Sequence, residues 1–353
     1  MFKVLQKIFS LFYFIIYSLN RLCFACGLKK VFSSPAYTIS VGNLSLGGSG
    51  KTPMVEFVAQ ELSLKKLSPV IISRGYKRKS DKNLMVSDEG GLLSNITISG
   101  DEPYMLAKSL PGIPVWVGKK SQILFSAYKQ SRPKTIILDD GFQTAYIKKN
   151  LDILLVDTSV DLEHYQLVPR GQLREPLSAI NRANIIIFTK CNFGGENINK
   201  IKQLISFHLY NKKTPTFSSN YVLSLKRFKK NKLFFVQKKF SEPVVAFCGI
   251  ANSSIFEKEV SRLSGGVFAF LQFSDHHKYC NTDVLVIKQK INEIGAKTII
   301  TTKKDLFKIK NSFPGCDLFI LDVEHEIINK KIFLKELEDE LINIIPLTNT
   351  LVD

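Results

Sequence analysis

The chain has 353 residues, of which 45% are hydrophobic, and carries 49 Lys and Arg against 31 Asp and Glu, a formal net charge of +18. That length supports two domains with a sizeable core, and the hydrophobic share is that of a globular protein rather than a disordered one. The basic surplus favours an anionic partner (nucleic acid, an anionic lipid surface or a phosphorylated substrate) without choosing among them. The six cysteines are scattered. Cys23 and Cys26 form a lone CxxC in an apolar stretch with no second pair and no nearby His, which argues against zinc and against a disulfide framework.

Near the N-terminus, residues 8–19 are almost all apolar or aromatic, with Lys3 and Lys7 before them and Asn20, Arg21, Lys29 and Lys30 after. Such a stretch covers roughly 18 Å as a helix, short of the ~30 Å hydrocarbon core. Extension to Leu28 supplies the length but takes in Asn20 and Arg21. A helix lying in the interface with snorkelling cations therefore fits better than a clean span. No small-residue cleavage site follows, against a signal peptide; a buried first helix is the other alternative.

Residues 37–41 are β-branched and apolar and predict a buried strand, bounded by Gly42-Asn43. Gly47-Gly48-Ser49-Gly50-Lys51-Thr52 follows, and Met54, Val55, Phe57, Val58 and Leu62 then keep helical spacing to about Lys66. Strand, glycine loop, Gly-Lys-Thr and helix is the context of a phosphate-binding loop. The glycines let consecutive N–H groups turn inward around phosphate oxygens, and the helix N-terminus adds partial positive charge. Lys51 is placed to reach the β/γ-phosphates of ATP, and Thr52 to offer a hydroxyl to Mg²⁺. The general pattern opens with a glycine five residues before Gly50, where this chain has Ser45.

Alternating units continue. Strands are predicted at 69–73, 83–87, 96–98, 114–117, 134–138, 152–156 and 184–188, and helices at 101–110 and 119–130. Strands apolar throughout and alternating with helices predict a mostly parallel, doubly covered sheet. Residues 221–225 and 233–237 flank the basic turn 226–232 and predict a hairpin at a domain junction. A second α/β pattern begins beyond it: strands at 243–247, 267–273, 298–301 and 318–322, and helices from about 253, near 282–294 and near 330–344.

Four groups carry candidate chemistry. The strand 134–138 ends in Asp139-Asp140-Gly141-Phe142-Gln143, where phosphate-loop proteins keep a Mg²⁺-binding acid. Asp101 precedes Glu102-Pro103 at a helix start, where an acid makes an ordinary N-cap, and capping alone is the default reading. Asp275-His276-His277 supplies a carboxylate and histidines of the kind that remove a proton near neutral pH, with metal binding a weaker reading. Arg170 and Arg174, with Glu175, lie in a proline-bounded turn suited to presenting guanidinium forks to phosphate, or to solvent alone.

GNxxxGGxGKTP (42–53), SRGY (73–76), GDEP (100–103), DDGFQ (139–143), GxLREP (171–176), GIAN (249–252) and DHH (275–277) occur in this order. Together they closely resemble the tetraacyldisaccharide 4′-kinases of lipid A biosynthesis, from the apolar helix to about Asp305. In that family Ser45 is no departure. The resemblance implies ATP-dependent phosphorylation of the 4′-hydroxyl of a tetraacylated glucosamine disaccharide 1-phosphate at the cytoplasmic face of the inner membrane. It implies a dyad in which Asp101 takes the hydroxyl proton and His276, or His277 in its place, orients it. Phosphate and Mg²⁺ roles fall around Gly47, Gly48, Ser49, Gly50, Lys51, Thr52, Asp139, Asp140, Gln143 and Glu175, with substrate contacts at Arg74, Tyr76, Arg170 and Arg174. It also implies two α/β/α domains, the first a P-loop NTPase-like, mostly parallel sheet, joined by a β-ribbon and preceded by a membrane-associated helix. The expected boundaries are 1–28 for the helix, 29–220 for the kinase domain, 221–240 for the ribbon and 241–353 for the second domain.

An acylated disaccharide leaves the bilayer at a cost of about 0.8 kcal/mol per exposed CH₂, so the enzyme is expected to come to the anionic membrane surface. No nucleic acid and no obligate protein partner is expected. Two rivals stand beside this on residues alone. A partitioning-type membrane ATPase switch carries a lysine where this chain has Leu46. A nucleic-acid-binding ATPase lacks its basic-aromatic module here.

Overall fold

The computed structural model describes residues 2–76, 78–209, 213–230, 232–250, 253–275, 277–309 and 311–341. The chain divides into two compact units, 1–221 with 325–353, and 222–324. The first opens with α1 (Phe2–Ala25), β1 (Tyr37–Asn43), α2 (Lys51–Leu64), β2 (Pro69–Ser73), β3 (Leu84–Asp88) and β4 (Gly91–Leu92). It continues with α3 (Ile96–Ser99), α4 (Asp101–Ser109), β5 (Val115–Val117), α5 (Lys120–Ser131), β6 (Thr135–Asp139), β7 (Leu151–Asp157), β8 (Ile185–Thr189), α6 (Asn197–His208) and β9 (Thr216–Lys229).

Within this unit the strand order is β9-β8-β7-β1-β6-β2-β5-β3-β4. All neighbours from β9 to β5 are parallel, and β3 and β4 close the edge antiparallel. β2, β6, β7 and β8 are buried at every residue, as a sheet covered on both faces requires. On one face Met54, Val55, Val58 and Leu62 of α2 pack on Ile39, Val41 and Ile137. Each such side chain contributes about 1.5–3 kcal/mol through burial. Because β1, β6 and β2 are adjacent and parallel, the loops after all three open at one edge of the sheet, where α/β proteins bind ligands.

The second unit holds β10 (Lys232–Phe235), β11 (Val244–Cys248), α7 (Ser254–Leu263), β12 (Phe268–Gln272), α8 (Asn281–Ile294), β13 (Thr298–Thr302), α9 (Lys303–Ile309) and most of β14 (Asp317–Ile327). Its parallel order is β12-β11-β13-β14. α10 (Lys330–Leu341) follows.

Three expectations need correction. Residues 96–98 are helical, because the Asn95 side chain accepts from the Ile98 N–H and caps α3. The predicted hairpin forms between β9 and β10, but Lys229 lies opposite Lys232, so 226–229 are strand rather than turn. It does not join the units: the chain leaves the first within β9 and returns within β14. Finally, α10 belongs to the first unit. Phe333, Leu337 and Leu341 join the core beneath α2, with Phe333 edge-on to Phe217 at 5.2 Å and 6.0 Å from Phe57.

Candidate active site

The loop between β1 and α2 turns on Gly50, whose φ of 85° is a left-handed conformation that favours glycine. A Cβ there would stand 2.0 Å from the Tyr221 hydroxyl and 2.6 Å from His325 Nε2. The Thr189 hydroxyl donates to the Ser49 carbonyl at 3.1 Å, tying the loop to the end of β8. α2 begins at Lys51 with no side-chain cap, so its first N–H groups and positive dipole end face outward, ready for an anion.

Lys51 Nζ donates to Asn43 Oδ1 at 3.2 Å and lies 3.9 Å from Asp140. Asp140, itself left-handed at φ 50°, receives two guanidinium bonds from Arg174, at 3.0 and 2.9 Å. Arg174 also bonds the Asn43 carbonyl at 3.2 Å and its side-chain oxygen. The backbone supports that reach: Leu46 N–H donates to Gln172 and Arg174 N–H to Leu44, both at 2.7 Å. Asp139 is buried and accepts from Ser73 Oγ at 2.8 Å. Gln143 Nε2 donates to the Asn43 carbonyl at 2.7 Å, while its buried Oε1 has no hydrogen-bond partner among the described residues. A Cβ on Gly42 would meet Phe142 Cβ at 2.7 Å, so glycine permits the close approach of the two loops.

The phosphate loop, SRGY, DDGFQ and GxLREP are thus one connected cluster. GDEP joins at its side: a Cβ on Gly75 would be 2.9 Å from the Ser99 carbonyl, and one on Gly100 3.3 Å from that of Tyr76. Asp101 lies in the first turn of α4, where Gly100 holds the cap position and no side chain caps.

Not every candidate faces this cluster. Arg74 and Tyr76 are exposed, as is Arg170 beyond the cis Val168–Pro169 bond. Glu175, 2% exposed, pairs with Arg182, whose guanidinium stacks 4.6 Å over Phe142 and donates to Tyr17 at 3.2 Å. In the second unit His277 Nε2 bonds Asp283 at 2.9 Å and its ring lies among Phe273 and Tyr279, a structural setting. Gly249 packs against that loop, 3.1 Å from Ser274 by the same Cβ test. His276, and Ala251 and Asn252 of GIAN, lie outside the described residues.

His325 and Tyr221 are residues that sequence reasoning missed. His325 bonds the Gly50 carbonyl at 2.9 Å and Ser219 Oγ at 2.7 Å, and Tyr221 meets it edge-on at 5.0 Å. Burial, reinforced by the Lys190 ammonium, lowers the His325 pKa to about 4; the bond to Gly50 opposes this only in part. No spacing in the sequence signals either residue.

α1 lays a polar face on the same region. Ser10 donates to the Leu167 carbonyl at 3.1 Å and Tyr13 to that of Arg174 at 2.6 Å. Its other face exposes Leu5, Phe9, Phe12, Ile16 and Leu19. The segment Lys3–Ala25 is long and apolar enough to cross a membrane by length and composition.

Residues 2–342 match the family model described as tetraacyldisaccharide-1-P 4′-kinase. The chain belongs to that family. A tetraacyldisaccharide 4′-kinase from Desulfotalea psychrophila is 37% identical over 83% of this chain and 84% of its own. One from Flavobacterium psychrophilum is 33% identical over 97% and 96%. The crystal structure of LpxK from Aquifex aeolicus in complex with ATP matches with a TM-score of 0.76 and 30% identity, over 96% of this chain and 99% of that one. This tetraacyldisaccharide 4′-kinase family member is a kinase, and the cluster at the β1, β2 and β6 ends is its candidate nucleotide site.

Proposed function

We propose that this kinase transfers the γ-phosphate of ATP to the 4′-hydroxyl of a tetraacylated glucosamine disaccharide 1-phosphate at the cytoplasmic face of the inner membrane. The observation that carries this is the left-handed turn at Gly50, which delivers Lys51 and the open start of α2 beside the Asp139–Asp140 pair. N–H groups of residues 47–52 cradle the phosphates, and Lys51 reaches their outer oxygens. Asp101 takes the proton of the sugar hydroxyl, with His276 as its partner in the dyad. Arg74, Tyr76, Arg170 and Arg174 are assigned to anionic groups of nucleotide and lipid.

Among the described residues no cluster of three or more His, Cys, Asp or Glu forms a protein-only metal site. That suits Mg²⁺, which keeps waters and is shared between one or two protein groups and substrate phosphates. The Thr52 hydroxyl and the Asp139 carboxylate would hold it, and the unpartnered Oε1 of Gln143 fits a water of its shell. The chemistry such an ion would supply there is neutralisation of phosphate charge during transfer. Glu175 and Asp140 act at one remove, through their ion pairs with Arg182 and Arg174.

The exposed apolar face of α1 supports a position at the bilayer, where an acylated substrate would reside. The test is radiolabelled ATP with the full chain, Mg²⁺ and acylated disaccharide 1-phosphate in detergent. Label is expected in the lipid, and Lys51→Ala should abolish it; no label from wild type, or full activity in Lys51→Ala, would overturn the assignment.

A further inference from the structure

We propose that His325 is a positioning residue for the phosphate loop: by pinning the Gly50 carbonyl it orients the Gly50–Lys51 peptide toward bound nucleotide. The inference rests on the assignment of residues 47–52 to ATP phosphates. Gly50 O accepts the first bond of α2, from Met54 N–H at 3.1 Å, and a second from His325 at 2.9 Å. A carbonyl only accepts, so His325 carries its proton on Nε2, which leaves Nδ1 to accept from Ser219 Oγ at 2.7 Å. In this neutral tautomer both ring nitrogens are satisfied. Tyr221 lies edge-on to the ring, and its hydroxyl stands 2.0 Å from where a Gly50 Cβ would be.

The peptide is planar, so fixing the Gly50 C=O fixes the opposite direction, that of the Lys51 N–H. That N–H is among the unsatisfied donors at the start of α2 which a phosphate would take. A second, buried donor on the Gly50 carbonyl narrows the orientations open to that peptide in advance of binding.

The test compares His325→Asn and His325→Gln in the full chain. Gln keeps a donor near the Nε2 position; Asn reaches only toward Ser219. His325→Asn is expected to raise the KM for ATP about tenfold with little change in kcat, because the contact is equal in ground and transition states. His325→Gln is expected to stay within about threefold of wild type. Melting temperatures measured alongside separate positioning from simple destabilisation, since both variants lose the ring. An ATP KM in His325→Asn within twofold of wild type overturns the proposal, as does an equal KM increase in both variants. The dissociation constant for ATP, read by calorimetry without lipid, carries the same comparison. Weakened binding in His325→Asn alone supports the proposal even if wild type labels no lipid, a result that would count against the kinase substrate instead.

Discussion

Arg174 grips Asp140 with two parallel guanidinium–carboxylate bonds, of 3.0 and 2.9 Å, while Lys51 waits 3.9 Å from the same carboxylate. The pair holds Asp140 beside the phosphate loop and limits its pull on Lys51. A lysine cannot reproduce the planar fork. Arg174→Lys is therefore expected to lower kcat/KM by about 10- to 100-fold, since displacement of a catalytic group by an ångström costs on that order. Steady-state label transfer checks it; activity within twofold of wild type would mean that the fork is dispensable.

Asp101 sits in the first turn of α4, directly after Gly100 at the cap position. Asp101→Ala should reduce kcat by about 10²–10⁴-fold, the usual contribution of a positioned general base. ATP binding, measured separately by calorimetry, should persist. Near-wild-type turnover would remove Asp101 from the mechanism.

The hydroxyls of Tyr13 and Tyr17 join α1 to the Arg174 carbonyl and to Arg182. Deleting residues 2–28 is expected to reduce membrane association more than ATP binding, because the exposed apolar face leaves with the helix. Tyr13→Phe with Tyr17→Phe keeps that face, and costs about 1 kcal/mol of stability per lost bond. Membrane flotation should be normal in the double variant and reduced in the truncation; equal flotation in wild type and truncation contradicts an anchoring role.

His325 has a folded-state pKa of about 4, below the ordinary 6.5. The unfolded chain then binds one more proton between these values, so stability rises with pH across that window and is lost as pH falls through it. At 1.36 kcal/mol per unit the full span is worth about 3 kcal/mol. Urea unfolding at pH 7 and pH 5 should show a steeper loss for wild type than for His325→Gln. Parallel pH profiles for the two proteins would show that this imidazole is not held neutral.

Much of this molecule is legible along the chain. A β-branched run ending in glycine announces β1, and a Gly-Lys-Thr before helical spacing announces α2, because strand, turn and helix are each specified by neighbouring residues. Asp139 was readable as a candidate because an acid ending a buried strand is costly without a partner, and Asp140 because it follows directly. The SRGY and GDEP loops were readable as motifs but not as neighbours; the packing of Gly75 on Ser99 shows that. The role of Glu175 looked like that of its acidic companions, yet burial beside Arg182 sets it apart.

By itself, then, the sequence determined most of the alternation of strands and helices, the glycine loop before α2 and the apolar leading helix, all written in contacts within a few residues. Only the tertiary structure decided that α10 returns to the first unit, that Arg174 holds Asp140, and that His325 reaches Gly50 across 275 positions. Such pairs depend on two distant segments meeting in one register, and neither segment carries a local pattern for the other.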